Sequence, residues 1–255
     1  MVLENVSLPY YTEKEDKANS ISHLVGVIFG VAATAVLLTR SHDIGHIISS
    51  IIFGVAMIIL YSGSSIYHRL SPGKAKKIAR LVDHSVIFVL ITGTSIPLMI
   101  LDVLPYYKAL AITCISVSVV TAVLGIVLTF IDQEKYKKLQ MVLYMVLGWM
   151  CIFLFYPIYK CDPNALLLFG LLVLGGTIYT LGTIFYSIGR FKRYYHFIFH
   201  LFILGGTVTH FLAFLICLYC WDCFALADRQ ALRKLRRPLR YSRKAPPICD
   251  LLISR

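Results

Sequence analysis

Four residues stand where a largely apolar chain should not carry them: His68, Asp83, His196 and His200. Ionisable groups are costly in hydrocarbon, and those that persist face a bundle interior or a water-filled cavity. His196 and His200 are four residues apart. On a helix both imidazoles then project from one face, a spacing suited to two ligands on one metal. His68 ends the run Ser64-Ser65-Ile66-Tyr67-His68 and offers a third nitrogen from a different segment. Three histidines leave a fourth position for water, the pattern of a catalytic zinc site rather than a closed structural one. Zinc lowers the pKa of bound water to about 7 and so makes hydroxide available near neutral pH. Asp83 is suited to orient that water or take its proton. Ser64, one turn before His68, is placed to hydrogen-bond a ligand or a substrate.

The elements that position these groups follow from composition. The chain has 255 residues, 58% of them hydrophobic and 15% charged, too little charge to cover a soluble domain of this size. Apolar runs of ~18 or more residues, long enough to cross a bilayer, recur along it. Seven spans are predicted, near residues 20–39, 44–66, 81–101, 109–131, 139–158, 165–188 and 194–219. Apolar and polar residues do not alternate within them, which argues against a barrel. The predicted fold class is therefore all-α, a polytopic membrane bundle of seven transmembrane helices. Residues 1–19 form a cytoplasmic N-terminal segment, 20–220 the membrane domain and 221–255 a basic, disordered tail. The polar start carries no pattern of a removable signal peptide.

Orientation follows from Lys and Arg. The N-terminal segment and the second, fourth and sixth loops share one side and hold 13 of them; the other three loops hold three. The positive-inside rule places the N-terminus in the cytoplasm, and an odd number of spans puts the C-terminus outside. Nine further Lys and Arg follow Trp221 and argue for the opposite side; the early loops are taken to dominate. The net charge of +12 is thus explained by topology, and nucleic acid is not expected as a partner. Membrane lipid is.

That orientation sets depth. His68, Asp83-His84, His196 and His200, with His23 after Asn19 in the first span, all fall near cytoplasmic ends. Any one of these histidines alone reads as an interfacial anchor; their convergence at one depth is what supports a metal. His210 lies ten residues past His200, ~15 Å farther along a helix, and is expected to make a buried interhelical hydrogen bond. His42-Asp43-Ile44-Gly45-His46 falls on the outer side without partners at that depth and is expected to be solvated loop. Cys217-Leu218-Tyr219-Cys220-Trp221-Asp222-Cys223 lacks a second Cys-x-x-Cys, and the seven cysteines read as small hydrophobic filler. Pro97 should kink its span. Gly26 and Gly30, Gly175-Gly176 and Gly205-Gly206 suit close helix packing.

Taken in order, these motifs resemble the bacterial haemolysin III proteins, within the progestin and adipoQ receptor family, over roughly residues 13–215. Asp16 through His23 is similar to the family's opening acidic-x-x-Asn-x-x-Ser/Thr-His, and Ser64 through His68 to its Ser-x-x-x-His. Asp83-His84-Ser85 with Thr92 through Pro97, Gly148-Trp149, Gly175 through Gly182, and His196 through His200 with His210-Phe211 are similar to its later signatures. The resemblance implies zinc held by His68, His196 and His200 near the cytoplasmic face, with Asp83 close by through water. It also implies kinship with alkaline ceramidases, for which lipid-amide hydrolysis is the chemistry, and a role in membrane-lipid homeostasis. Two departures stand out: Phe197 replaces a residue that is often polar or acidic, and the chain from about Trp221 does not resemble the family. Three functions remain open: a zinc-dependent hydrolase of a lipid amide or ester, a cytolytic membrane protein, and a receptor or sensor with structural zinc.

Overall fold

Where lipid replaces water, each segment must satisfy its own backbone polar groups, and the apolar runs accordingly form helices. The computed structural model describes residues 3–161, 164–189 and 191–235. Its helices are α1 Glu13–Thr39, α2 Ile44–Arg69, α3 Lys74–Leu98, α4 Lys108–Gly148, α5 Phe155–Cys161, α6 Ala165–Ile188 and α7 Tyr195–Leu235. The chain divides into the compact units Met1–Cys220 and Trp221–Arg255. The site lies in the first, and the tail over 236–255 lies outside the described residues.

The expectation of seven transmembrane helices is corrected. Six described helical stretches are long and apolar enough to cross a membrane, because the spans expected near 109–131 and 139–158 belong to one stretch, Lys108–Lys160. The polar segment Asp132 through Lys138 has the composition of a loop, yet Gln, Glu and Lys are good helix formers and only Asp132 departs from helical geometry (φ −163°, ψ 95°). Its carboxylate accepts from Lys135 N at 3.0 Å, restarting the helix as an N-cap does. Gln140 Nε2 donates to Thr129 Oγ1 at 3.0 Å across eleven residues. A straight helix would hold these ~16 Å apart, so the stretch is sharply kinked at Asp132.

Local chemistry sets the other boundaries. Thr12 and Glu15 form a reciprocal capping box at the start of α1. Asp43 caps α2, accepting from His46 N at 3.0 Å. Pro97 lacks the N–H that would continue α3 regularly. Just past it the chain widens into a π-type turn, Met99–Val103, closed by Leu104 N donating to Met99 O at 2.8 Å.

Side-chain hydrogen bonds then orient the bundle. Ser20 and Ser65 each donate to the other's carbonyl at 3.0 Å, pinning the start of α1 to the end of α2. Tyr61 of α2 donates to Thr207 of α7 at 2.7 Å, and Tyr179 of α6 meets the same hydroxyl at 2.8 Å. Tyr61 fits against α1 because residue 26 is glycine; a Cβ there would overlap the tyrosine ring. The core gathers Leu37, Phe53, Met57, Tyr61, Leu90 and Phe214. Ile28, Val120, Val146 and Leu166 are exposed, an apolar outer surface suited to lipid. The protein is a multi-pass, all-α membrane bundle.

Candidate metal centre

The end of α2 and the start of α7 meet the first turns of α1. There one nitrogen each of His68, His196 and His200 lies within 4.8 Å of the others, and all three residues are buried. His196 Nε2 and His200 Nε2 are 3.2 Å apart. Two nitrogens each ~2.0–2.1 Å from a tetrahedral zinc ion would stand at about that spacing. The opposite edges of the rings are fixed by acceptors. His68 Nδ1 faces Asp16 Oδ1 at 2.9 Å, and His200 Nδ1 faces the Asn19 carbonyl at 3.2 Å. A carboxylate and a carbonyl can only accept here, so both rings carry their proton on Nδ1 and turn an Nε2 lone pair inward. Ser22 Oγ, which donates to Asn19 O at 2.7 Å, lies 3.0 Å from the same His200 Nδ1. His68 Nε2 is buried and has no protein partner. A donor set of inward lone pairs, backed by outward acceptors, fits a divalent cation.

His196 and His200 of the cluster open on a cavity of about 860 Å³. His196, His200, Asp83, Ser64, Tyr67 and Arg80 line its polar end, and Leu98, Trp149 and Ile203 line its interior. Asp83 is half-buried and Ser64 stands beside it. Tyr11, just before α1, stacks on His196 with ring centroids 5.1 Å apart. Burial, then the neighbouring Tyr67, push its phenol above the ordinary value, so it stays an uncharged hydroxyl. Ser7 Oγ donates to Glu134 Oε1 at 2.6 Å, holding the segment before Tyr11 across the cavity's edge.

The structure thus brings together the three histidines singled out in the sequence and sets Asp83 and Ser64 on the same cavity. His84 lines the same cavity but is outside the tri-histidine cluster, and its carbonyl accepts from Tyr144 OH at 2.8 Å. His210 makes an interhelical bond, Nε2 to Leu172 O at 3.2 Å. His46 differs from expectation: it is buried, not solvated, standing in the first turn of α2 that Asp43 caps, with its Nδ1 2.8 Å from the Asp43 carboxylate. Cys217 is buried and donates to Asp102 at 3.3 Å. Sequence reasoning passed over Asp16, Asn19 and Ser22 except as motif positions. A signal existed: Asp16, Asn19, Ser20 and His23 fall at i, i+3, i+4 and i+7, a polar stripe on one face of an apolar helix. Tyr11 precedes the helix and carries no such signal.

A membrane helix bundle enclosing a buried tri-histidine cluster at one end is the class of protein that fold and site define. The chain belongs to the Haemolysin-III related family, whose pattern matches residues 11–211. It is 36% identical over 213 residues to the hemolysin-3 homolog of Bacillus subtilis (strain 168), covering 82% of this chain and 96% of that protein. It is 29% identical over 201 residues to hemolysin-3 of Bacillus cereus, covering 78% and 89%. It is 26% identical over 212 residues to the human monocyte to macrophage differentiation factor, covering 80% and 85%.

Proposed function

We propose that this protein is an intramembrane zinc hydrolase acting on the amide or ester bond of a membrane lipid. The observation that carries the reading is the convergence of His68, His196 and His200, with His196 and His200 lining a largely apolar cavity that Asp83 and Ser64 also line. When bound, zinc supplies Lewis acidity, which polarises a carbonyl and eases ionisation of water. The chain's own residues do the rest. Asp16 and the Asn19 carbonyl hold His68 and His200 as inward-facing ligands. Asp83 receives the proton of the attacking water and later returns it to the leaving group, and Ser64 orients that carboxylate. The cavity's apolar interior takes a lipid chain and keeps bulk water from the reacting carbonyl.

The orientation belongs to the same reading. Charge bias places the N-terminus in the cytoplasm. Whatever the number of crossings, α7 starts beside the first turns of α1 and by Cys217 reaches Asp102 in the π turn after α3. Its span therefore ends on the face opposite the site, outside. The division into a cytoplasmic segment 1–19, a membrane domain 20–220 and a basic appendage 221–255 is part of the proposal.

Metal analysis of purified protein is expected to give about one zinc per chain, lost in His196→Ala. Untargeted lipid analysis should then show a lipid amide or ester accumulating in cells that carry Asp83→Ala. Absence of zinc from the wild type, or identical lipid profiles, would sink the reading. The name hemolysin-3 carried by the Bacillus cereus relative raises a lytic alternative. Lysis of red cells by intact protein that survives His200→Ala would favour it.

A further inference from the structure

We infer that His23 is a catalytic residue of this site, donating a hydrogen bond to the oxygen of the scissile carbonyl as negative charge builds there. The inference rests on the hydrolytic reading and adds to it a group that touches the substrate. His23 is 4% exposed, yet neither of its ring nitrogens has a hydrogen-bond partner. Buried polar side chains almost always have one, and exceptions mark catalytic groups or places filled by a ligand or water. Here the ring lines the same cavity as His196, His200, Asp83 and Ser64.

The ring is also held. Its face lies on His200, centroids 3.7 Å apart and planes within 14°. Tyr61 meets it in an edge contact at 5.2 Å and 78°, and Tyr61 is itself anchored by Thr207. Within the stacked pair, His200 has both nitrogens engaged, Nδ1 by Asn19 and Ser22 and Nε2 toward His196. His23 is the member with hydrogen-bonding capacity unspent. Stacking alone would be served by phenylalanine, so the nitrogens require another explanation. A fixed donor in a water-poor site needs no reorganisation when charge appears, which is the arrangement that stabilises an oxyanion.

The step balances without a further reactant. The oxygen of water bonds to the carbonyl carbon, and the π pair moves onto the carbonyl oxygen, where the His23 N–H meets it. The proton from water goes to Asp83. Collapse re-forms the C=O bond and breaks the bond to nitrogen or oxygen, and the leaving group takes the proton from Asp83. One water is consumed, giving a carboxylic acid and an amine or alcohol. His23 gains and loses no proton.

The test compares wild type, His23→Phe, His23→Gln and His23→Asn in lipid nanodiscs. Phenylalanine keeps the stack on His200 and the edge contact with Tyr61 but removes both nitrogens. Glutamine and asparagine return an amide N–H near Nε2 and Nδ1 respectively. Three quantities are read: zinc per chain, affinity for a dodecyl phosphonamidate that mimics the tetrahedral intermediate, and hydrolysis of a fluorescent N-acyl amine. His23→Phe should keep zinc and thermal stability. It should lose about 10²–10³-fold in turnover and in analogue affinity, with little change in KM, and one of the amide variants should regain part of both. Wild-type values in His23→Phe would overturn the assignment, and so would loss of zinc from that variant, which would make His23 part of the scaffold. A wild type that binds zinc but neither the analogue nor the amine substrate would instead refute the hydrolytic reading itself.

Discussion

Asp16 is the residue through which metal affinity is most open to attack without touching a ligand. Its Oδ1 takes the His68 Nδ1–H at 2.9 Å, and its Oδ2 takes a proton of Lys76 Nζ at 2.5 Å. Asp16→Asn leaves one accepting oxygen for two donors, and two costs follow. Losing the carboxylate that orients a histidine ligand weakens metal binding by about 10–100-fold, on the order of 1.4–2.8 kcal/mol. Lys76, only 3% exposed, also loses its counter-ion. Breaking a buried pair costs about 3–5 kcal/mol, somewhat less here because the Asp16 side chain keeps 20% exposure and some solvation. The second cost is the larger, so the single variant would mix loss of fold with loss of affinity. Lys76→Met removes the stranded ammonium. Against that background, Asp16→Asn should raise the zinc Kd by about 10–100-fold with melting temperature nearly unchanged. Competition against a fluorescent chelator in nanodiscs reads the first quantity and thermal unfolding the second. If the double variant holds zinc as tightly as Lys76→Met alone, Asp16 does not set the His68 tautomer, and the argument from outward acceptors fails.

Three further outcomes follow from the same geometry. Ser22→Ala removes one of two partners of His200 Nδ1 while the Asn19 carbonyl stays, so the zinc Kd should rise by about tenfold or less; a rise as large as that of Asp16→Asn would mean the serine is the principal partner. Thr12→Ala deletes the capping box of α1 and should cost about 1 kcal/mol of stability, read as a shift in denaturant midpoint; an unchanged midpoint would show that packing alone fixes the start of α1. An epitope tag before Tyr10 should resist external protease in intact cells, whereas one placed after Leu218 should be cleaved; the reverse pattern would invert the orientation.

What was legible in the sequence follows from what lipid makes expensive. A histidine or aspartate in an apolar run must have a reason to be there, and that cost, together with the four-residue spacing of His196 and His200, singles out His68, Asp83, His196 and His200 in the sequence. Charge bias in the loops then placed them at one depth. The same logic failed where polarity has two causes. Asp132 through Lys138 looked like a loop because it is charged, but charged residues also form exposed helix, and only Asp132 leaves helical geometry. The count of spans was therefore one too many. His46 differs for a related reason: a polar residue beside Asp43 has the composition of a loop, yet Asp43 caps α2 and His46 stands in that helix's first turn with its ring buried.

Relations between helices were the least legible, because a one-dimensional pattern states which face a residue occupies and not what lies opposite. The stripe Asp16, Asn19, Ser20 and His23 announced an inward face of α1. Only packing assigns its members separate tasks: Asp16 to His68, the Asn19 carbonyl to His200, Ser20 to Ser65, and His23 to the cavity. Three of those four reach a partner within hydrogen-bonding distance, and the fourth reaches none. Asn19 also leaves its side-chain Oδ1 without a protein partner, but an amide oxygen only accepts; His23 is the member of the stripe whose ring N–H is unspent, which is why the proposed oxyanion contact falls to it.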